Sequence, residues 1–319
     1  MVYSSYNNTL IIGVDTGNRQ VKTVNFCFTS GLASHDIKPF TDKWLKYDGT
    51  YYSLSSERIP YMRDKSTDDR FFILSLFAIA AELEFAGIRE CDSPRDIKLG
   101  LGIPPGHFAS SDLLSAKMEK YYTRNDGLIN FEYCGRNYSL RITSATICPQ
   151  GYSAVIPYLE TISLEPSTYV VDIGGFTTDV LLLKHGVPDL NVCHSFEFGI
   201  IPFCNRVEQQ VLAAHSLTVT TDMIECVLRN IKHNVPKHVV DKIMKEKELY
   251  ISDMLLRFRE YKFTLPTSVT YFVGGGASLF KDELANSDFV GECNFITDIG
   301  ANAIGYENII HMSINSSQK

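Results

Sequence analysis

The residues of this chain that could do chemistry sit in short glycine-containing loops set between apolar runs. The first is Asp15-Thr16-Gly17-Asn18-Arg19-Gln20-Val21-Lys22, in which Asp15 ends the apolar run of residues 10–15. A tight turn here aims successive backbone N–H groups into an anion-binding concavity. Gly17 permits close approach, because a side chain would occupy the anion's space. Asp15 suits a hydrated Mg2+, which takes carboxylate ligands and keeps several waters. Lys22 adds a positive charge. Taken alone, the segment reads by default as an ordinary hairpin.

The second loop, Asp172-Ile173-Gly174-Gly175-Phe176-Thr177-Thr178-Asp179, has the same setting and is more specific. A plain glycine hairpin does not explain an acid at each end. Asp15 and Asp172 each stand two residues before a glycine, and Lys22 and Asp179 share one offset from those acids. Two such hairpins facing one another across a cleft would enclose a triphosphate from both sides. The third element is Phe272-Val273-Gly274-Gly275-Gly276-Ala277, where glycines would let backbone lie flat against a ribose and base. It lacks the spacing of a dinucleotide fingerprint. No G-x-x-x-x-G-K-[ST] occurs, so the chain is not a P-loop enzyme.

The elements that must position these loops follow from periodicity and turn residues. Residues 10–15 and 21–28 read as strands, with a third beginning after Thr29-Ser30-Gly31. Asp48-Gly49 signals a hairpin over residues 44–54. Residues 69–86 form a helix that is apolar almost all round, starting near Thr67-Asp68 and stopping at Gly87. A strand at 97–103, a polar helix through Ser115 to Tyr122, a hairpin at 129–142 and a strand at 144–148 follow. A helix then leaves through Tyr158. The opening pattern of strand, acid, glycine turn, strand, turn and strand recurs over 168–196, which signals a duplicated architecture. Helices near 200–214, 220–232 and 236–261 lead to a strand at 269–273 and a helix through Leu284. A strand at 293–297 and a helix at 301–311 close the chain, before a frayed tail from Ser313. The charge run from Lys245 to Glu248 reads as a solvated helix face.

At 319 residues the chain suits two domains, each able to bury a core. It is 45% hydrophobic and 21% charged with net charge -7, which excludes a nucleic-acid-binding polycation. Any DNA contact would need an adaptor or a local basic patch. No apolar segment nears the roughly 20 residues of a membrane helix, so a cytoplasmic location is expected. The eight cysteines are dispersed and read as buried reduced thiols, and no Cys/His cluster suggests zinc.

In order and content these motifs resemble the superfamily of actin, heat-shock chaperones and sugar kinases. The resemblance takes in Asp15 to Lys22, the connecting segment Ile147-Cys148-Pro149-Gln150-Gly151, Asp172 to Asp179, Val273 to Ala277, and Gly300-Ala301-Asn302-Ala303-Ile304-Gly305. Within it, the second loop, the strand ending Gly102-Ile103-Pro104 and Pro149 are similar to the ParM/StbA plasmid-segregation family. That resemblance implies an α/β, actin-like (ribonuclease H-like) duplicated fold with two domains around a nucleotide cleft. Domain I would span 1–155 plus 298–319, with an inserted subdomain at roughly 35–95. Domain II would span 156–297, with a helical subdomain at roughly 200–262. It also implies an ATPase, with GTP as the other candidate nucleotide. Mg2+ would be held through water by Asp15 and Asp172. Thr16, Gly17, Asn18, Lys22, Gly174, Gly175, Phe176, Thr177 and Gly274 to Gly276 would contact nucleotide. Gln150 would orient the attacking water, with Asp15 and Asp172 as the other catalytic residues; Gln150 could instead cap the helix beginning at Gly151. Asn18, Arg19 and Phe176 depart from the small residues common in these loops, and Arg206 and Glu208 are further candidate ribose or base contacts.

The implied task is self-association into dynamic filaments on binding Mg-ATP, with depolymerisation after hydrolysis. Such filaments would segregate a plasmid or other replicon through a DNA-binding adaptor on a centromere-like site, with no direct nucleic-acid or membrane contact. A small-molecule kinase, for which Asp96 and Asp112 are the available bases, and a non-segregating scaffold ATPase are the alternatives.

Overall fold

Two strands that run up to an aspartate organise the two halves of the chain. The computed structural model describes all residues except 1–4, 7–8, 61, 63, 91–92, 109–111 and 317–319. The described strands are β1 (Ser5–Tyr6), β2 (Thr9–Thr16), β3 (Gln20–Lys22), β4 (Cys27–Thr29), β5 (Leu32–His35), β6 (Trp44–Tyr47), β7 (Thr50–Leu54), β8 (Arg95–Ile103), β9 (Ile129–Tyr133), β10 (Arg136–Pro149), β11 (Thr168–Ile173), β12 (Thr178–Lys184), β13 (Val187–Phe196), β14 (Val269–Val273) and β15 (Cys293–Phe295). They fall into two units, Met1–Tyr158 with Asp298–Lys319, and Leu159–Thr297.

In the first unit β2 is central and buried on both faces, as a strand flanked by a parallel neighbour should be. The order β4-β3-β2-β8-β10 combines two antiparallel pairs with two parallel ones. The sheet continues through β9, β6, β7 and β5, all antiparallel. In the second unit β13-β12-β11-β14-β15 repeats that five-strand order with the same strand senses. The duplication legible in the sequence is therefore a duplication of topology.

The helix Asp69–Phe85 buries nearly every residue of its first four turns, which explains its lack of a polar face. Asp68 caps it by accepting from the Arg70 N–H at 2.9 Å, and Gly87 ends it with a φ of 76°. The helix Ala301–Ser316 lies against β2 and β8 across glycines. Gly13 and Gly100 are register partners, and a Cβ on either would strike Ala303 or Tyr306 of that helix, at 2.1 and 2.6 Å. In the second unit the helices Ile200–His215, Thr221–Leu228 and Lys237–Glu260 share a core with the sheet, where Phe196, Phe203, Tyr250 and Phe258 are buried.

Several expected elements differ. The run 21–28 is two strands, because Thr23 and Phe26 close a turn (N to O 2.8 Å) and Asn25 donates to the buried Glu82 through both its backbone and its side-chain nitrogen. β4 rather than β5 is then the third strand of the opening ladder, and β5 pairs with β7. The hairpin's first arm is β9, and its second arm continues through the strand 144–148 as the single strand β10, with an irregularity at Thr143, whose hydroxyl donates to Ile97 O. The helix after Gly274 breaks at Phe280, and the last helix runs on to Ser316, so residues 313–316 are helical rather than a frayed tail, and the rest of that tail lies outside the described residues. The run at Lys245 to Glu248 is solvated only at its ends: Lys245 and Glu248 are exposed, whereas Glu246 and Lys247 are buried, ion-paired with Arg206 and Lys242 and with Glu283. Of the cysteines, Cys148 and Cys204 are buried and five are half-buried, all seven free; Cys91 lies outside the described residues.

Candidate functional site

The first loop joins β2 to β3, with four residues, Gly17 to Gln20, inside its last register pair. Register places Asp15 opposite Lys22 and Thr16 opposite Val21. Asp15 is 3% exposed, and its carboxylate has two partners: Lys22 Nζ at 3.6 Å and the Gln150 side-chain amide, which donates at 2.9 Å. The loop's carbonyls are also held. Ser30 donates its hydroxyl to Gly17 O at 2.6 Å and its N–H to Arg19 O at 3.0 Å, while Lys65 Nζ donates to Thr16 O. With those acceptors taken by protein donors, the turn has backbone amides to offer to an anion. A Cβ on Gly17 would lie 2.7 Å from Gln20 O, so the turn closes this tightly only with glycine. Asn18 carries a buried side-chain oxygen without a protein partner, an acceptor that water on a cation or phosphate would satisfy.

Gln150 follows β10 directly. Its N–H donates to Ile103 O at 2.9 Å, and Gly151, with φ 74°, begins the helix Tyr152–Val155 without any side-chain cap. The Gln150 amide points to Asp15 instead of capping. Asn302 completes the turn by accepting the Gly151 N–H at 3.0 Å.

The second loop repeats the first. Asp172 opposes Asp179 and Ile173 opposes Thr178, leaving Gly174, Gly175, Phe176 and Thr177 in the turn. Gly174 N donates to Thr177 O at 2.8 Å. The carbonyls of Gly174, Gly175 and Phe176 accept from Ile200, Ile201 and Gly199 at 3.2, 2.8 and 3.0 Å, so the loop is fastened to the start of the helix Ile200–His215. The charge pattern across the hairpin is the point of difference. Lys faces Asp in the first loop, whereas two buried acids, 7% and 5% exposed, face each other in the second. Burial, with Asp172 adding to it, pushes the Asp179 carboxyl up to about 7 against the donors Ser195 and Thr177.

The third element closes over the second. Gly274 has φ +88°, and a Cβ there would lie 2.4 Å from Asp172 Oδ1 and 2.6 Å from Ile173 O. Gly276 packs on the Ile173 side chain, and Gly275 has open space where a Cβ would be. Thus Asp15, Thr16, Gly17, Asn18, Lys22 and Gln150 gather in one unit, and Asp172, Gly174 to Thr177 and Gly274 to Gly276 in the other. Arg206 and Glu208 are engaged elsewhere: Arg206 with Glu246 and Asp253, Glu208 with Thr221. Asp96 lies 3.9 Å from Arg141 at the surface, and the Asp112 side chain is outside the described ones. Sequence reasoning missed Ser30, Lys65, Ser195 and Asn302. Asn302 stood inside a recognised segment; the others lie in polar stretches with no local signal.

Each unit offers a near-buried carboxylate beside a glycine turn with held carbonyls, and the first adds an orphan acceptor, donor sets whose chemistry fits phosphate and a hydrated Mg2+. Residues 170–286 match the family model of the archaeal actin homologue MreB-like C-terminal region. An archaeal actin homolog of Thermoplasma acidophilum is 27% identical over 233 residues, which cover 69% of this chain and 68% of that protein. A crystal structure of an archaeal actin homolog superposes with TM-score 0.74 at 20% identity, covering 95% of this chain and 99% of that one. The chain has the actin-like fold. The same fold appears in apo ParM of psk41, with TM-score 0.70 at 17% identity over 98% of this chain and 100% of that one. An archaeal actin homolog in complex with ADP, Bacillus thuringiensis ParM with ATP and an Alp12 filament share it at 20%, 13% and 15% identity. Among the described residues of this actin-like chain, no helix is long and apolar enough to cross a membrane.

Proposed function

We propose that this chain is an ATPase that binds Mg-ATP through its first and second loops and assembles into filaments when it does. Hydrolysis then weakens the filament. The observation that carries this reading is the matched register of the two hairpins, Asp15 opposite Lys22 and Asp172 opposite Asp179, each closing a four-residue glycine turn. Duplicated phosphate hairpins serve a ligand with several phosphates. The nucleotide complexes and the filament known for proteins of this fold support the ATPase and the assembly steps.

Asp15 and Asp172 would hold Mg2+ through water, and the ion would screen the phosphate charge. Gln150 would orient the attacking water. An amide is a poor base, so its contribution is placement, and turnover is slow. The net charge of -7 favours a separate DNA-binding adaptor over direct DNA contact, and replicon segregation is the task we assign.

Right-angle light scattering after adding Mg-ATP, with phosphate release followed in the same sample, tests this. A rise that decays as phosphate appears is expected. A flat trace over a wide protein range, with ATP still bound, would overturn the filament and favour a small-molecule kinase.

A further inference from the structure

Lys65 stands apart from every charged group assigned so far. It opens the turn Lys65–Thr67 that leads into the helix Asp69–Phe85, far along the chain from the first loop. Yet its ammonium donates to Thr16 O, inside that loop, and lies 5.1 Å from the Phe71 ring centroid. Burial pulls its pKa down to about 8, although the nearby Asp15 charge works the other way.

The charge inventory of the loop is unbalanced. Lys22 is matched by Asp15 across the hairpin at 3.6 Å. Lys65 has only a neutral carbonyl, and among the described residues it forms no ion pair; the adjacent Asp64 is committed to Lys117 at 2.6 Å. A half-buried cation with no ion-pair partner carries a desolvation cost, and proteins keep one chiefly where an anion arrives to complete it. Lys65 is not needed to fasten its own turn either. Asp64 accepts from the Ser66 N–H at 3.0 Å and from its hydroxyl at 2.6 Å, and Thr67 donates to Asp64 O at 2.8 Å. A strut would be redundant there.

We propose that Lys65 is a second phosphate-binding cation of the first loop, supplying the positive charge that Lys22, already paired with Asp15, does not. This rests on the nucleotide-binding reading above and deepens it. The ligand chemistry is polyphosphate, and the residue discriminates by phosphate number. Lys65 also links phosphate occupancy to the helix Asp69–Phe85, because its backbone belongs to the turn that starts it.

The test is calorimetric titration of the full chain in Mg2+ with AMP, ADP and a non-hydrolysable ATP analogue. Wild type is compared with Lys65→Met, Lys65→Gln and Lys65→Arg. Loss of one charge-assisted contact lowers affinity by about ten- to a hundredfold. Met and Gln should show that loss for ADP and the ATP analogue but not for AMP, while Arg retains most of the affinity. Unliganded melting curves identify which of the two neutral variants is folded. Neutral variants that bind the ATP analogue as wild type does, or that lose affinity equally for all three ligands, overturn the assignment of Lys65 alone. Wild type that binds none of the three overturns the nucleotide reading, and this one with it.

Discussion

Gln150 and Asp15, 135 residues apart in sequence, are joined by a hydrogen bond of 2.9 Å from the amide nitrogen to Oδ1. The bond fixes which way the amide is turned: its nitrogen faces the carboxylate, so its oxygen is free to accept from a water. It also ties the residue after β10 to the acid that ends the apolar core of β2, two strands away in the same sheet.

Replacing Gln150 by alanine removes both the amide and its hold on Asp15. Hydrolysis should slow by about a hundredfold, as for a misplaced nucleophile. Affinity for a non-hydrolysable ATP analogue should change little. Single-turnover phosphate release and a binding titration separate the two, and unchanged release would remove Gln150 from the water-positioning role.

Asp172→Ala should depress Mg2+-dependent hydrolysis by about 10²–10³, the scale on which a single electrostatic contact to the reacting group acts. The variant also relieves Asp179 of a like-charged neighbour, so the Asp179 carboxyl should titrate lower. Phosphate release against Mg2+ concentration, with carbon-detected NMR of the aspartate carboxyls, reads both effects. Normal turnover at saturating Mg2+ would contradict the assignment.

Glu307 reports on stability. Burial in the helix Ala301–Ser316 pushes its carboxyl up to about 7 from 4.5, with Glu82 adding to the rise and the Gly13 N–H, 3.1 Å away, opposing it. The folded state therefore holds a proton that the unfolded chain releases between those values, and stability falls as pH rises through that window. The full effect is up to about 3 kcal/mol. Glu307→Gln keeps an acceptor for Gly13 without the charge. Its melting temperature should exceed that of wild type at pH 8 and converge with it near pH 4.5. Parallel melting curves across this range would show that Glu307 does not titrate there.

Gly305→Ala should destabilise by about 1–3 kcal/mol, because the added methyl would sit 1.9 Å from Ser153 O, a backbone atom with little room to move. A urea midpoint lowered with unchanged slope would report this. No shift in the midpoint would mean that the last helix slides on the helix Tyr152–Val155.

The loops were legible because glycine and aspartate at fixed offsets leave few alternatives for a turn between apolar strands. Gly274 shows the limit of that reading. Its place after a strand was visible, but that its missing Cβ makes room for Asp172, a hundred residues earlier, depends on β11 and β14 being parallel neighbours. The burial of Glu246 and Lys247 was hidden in the same way, since their partners Arg206 and Glu283 come from other helices.

The sequence by itself determined the two hairpins, the near-identical placing of their acids, the all-round apolar helix and the duplicated plan. Each of these is a local pattern or the recurrence of one, and within a local pattern chain connectivity dictates who meets whom. Only the tertiary structure decided that Gln150 turns to Asp15, that Ser30 and Lys65 hold the first loop, and that Asp179 keeps its proton to about 7. Those outcomes depend on which distant groups share a buried volume and what desolvation does to them there. No local pattern encodes that.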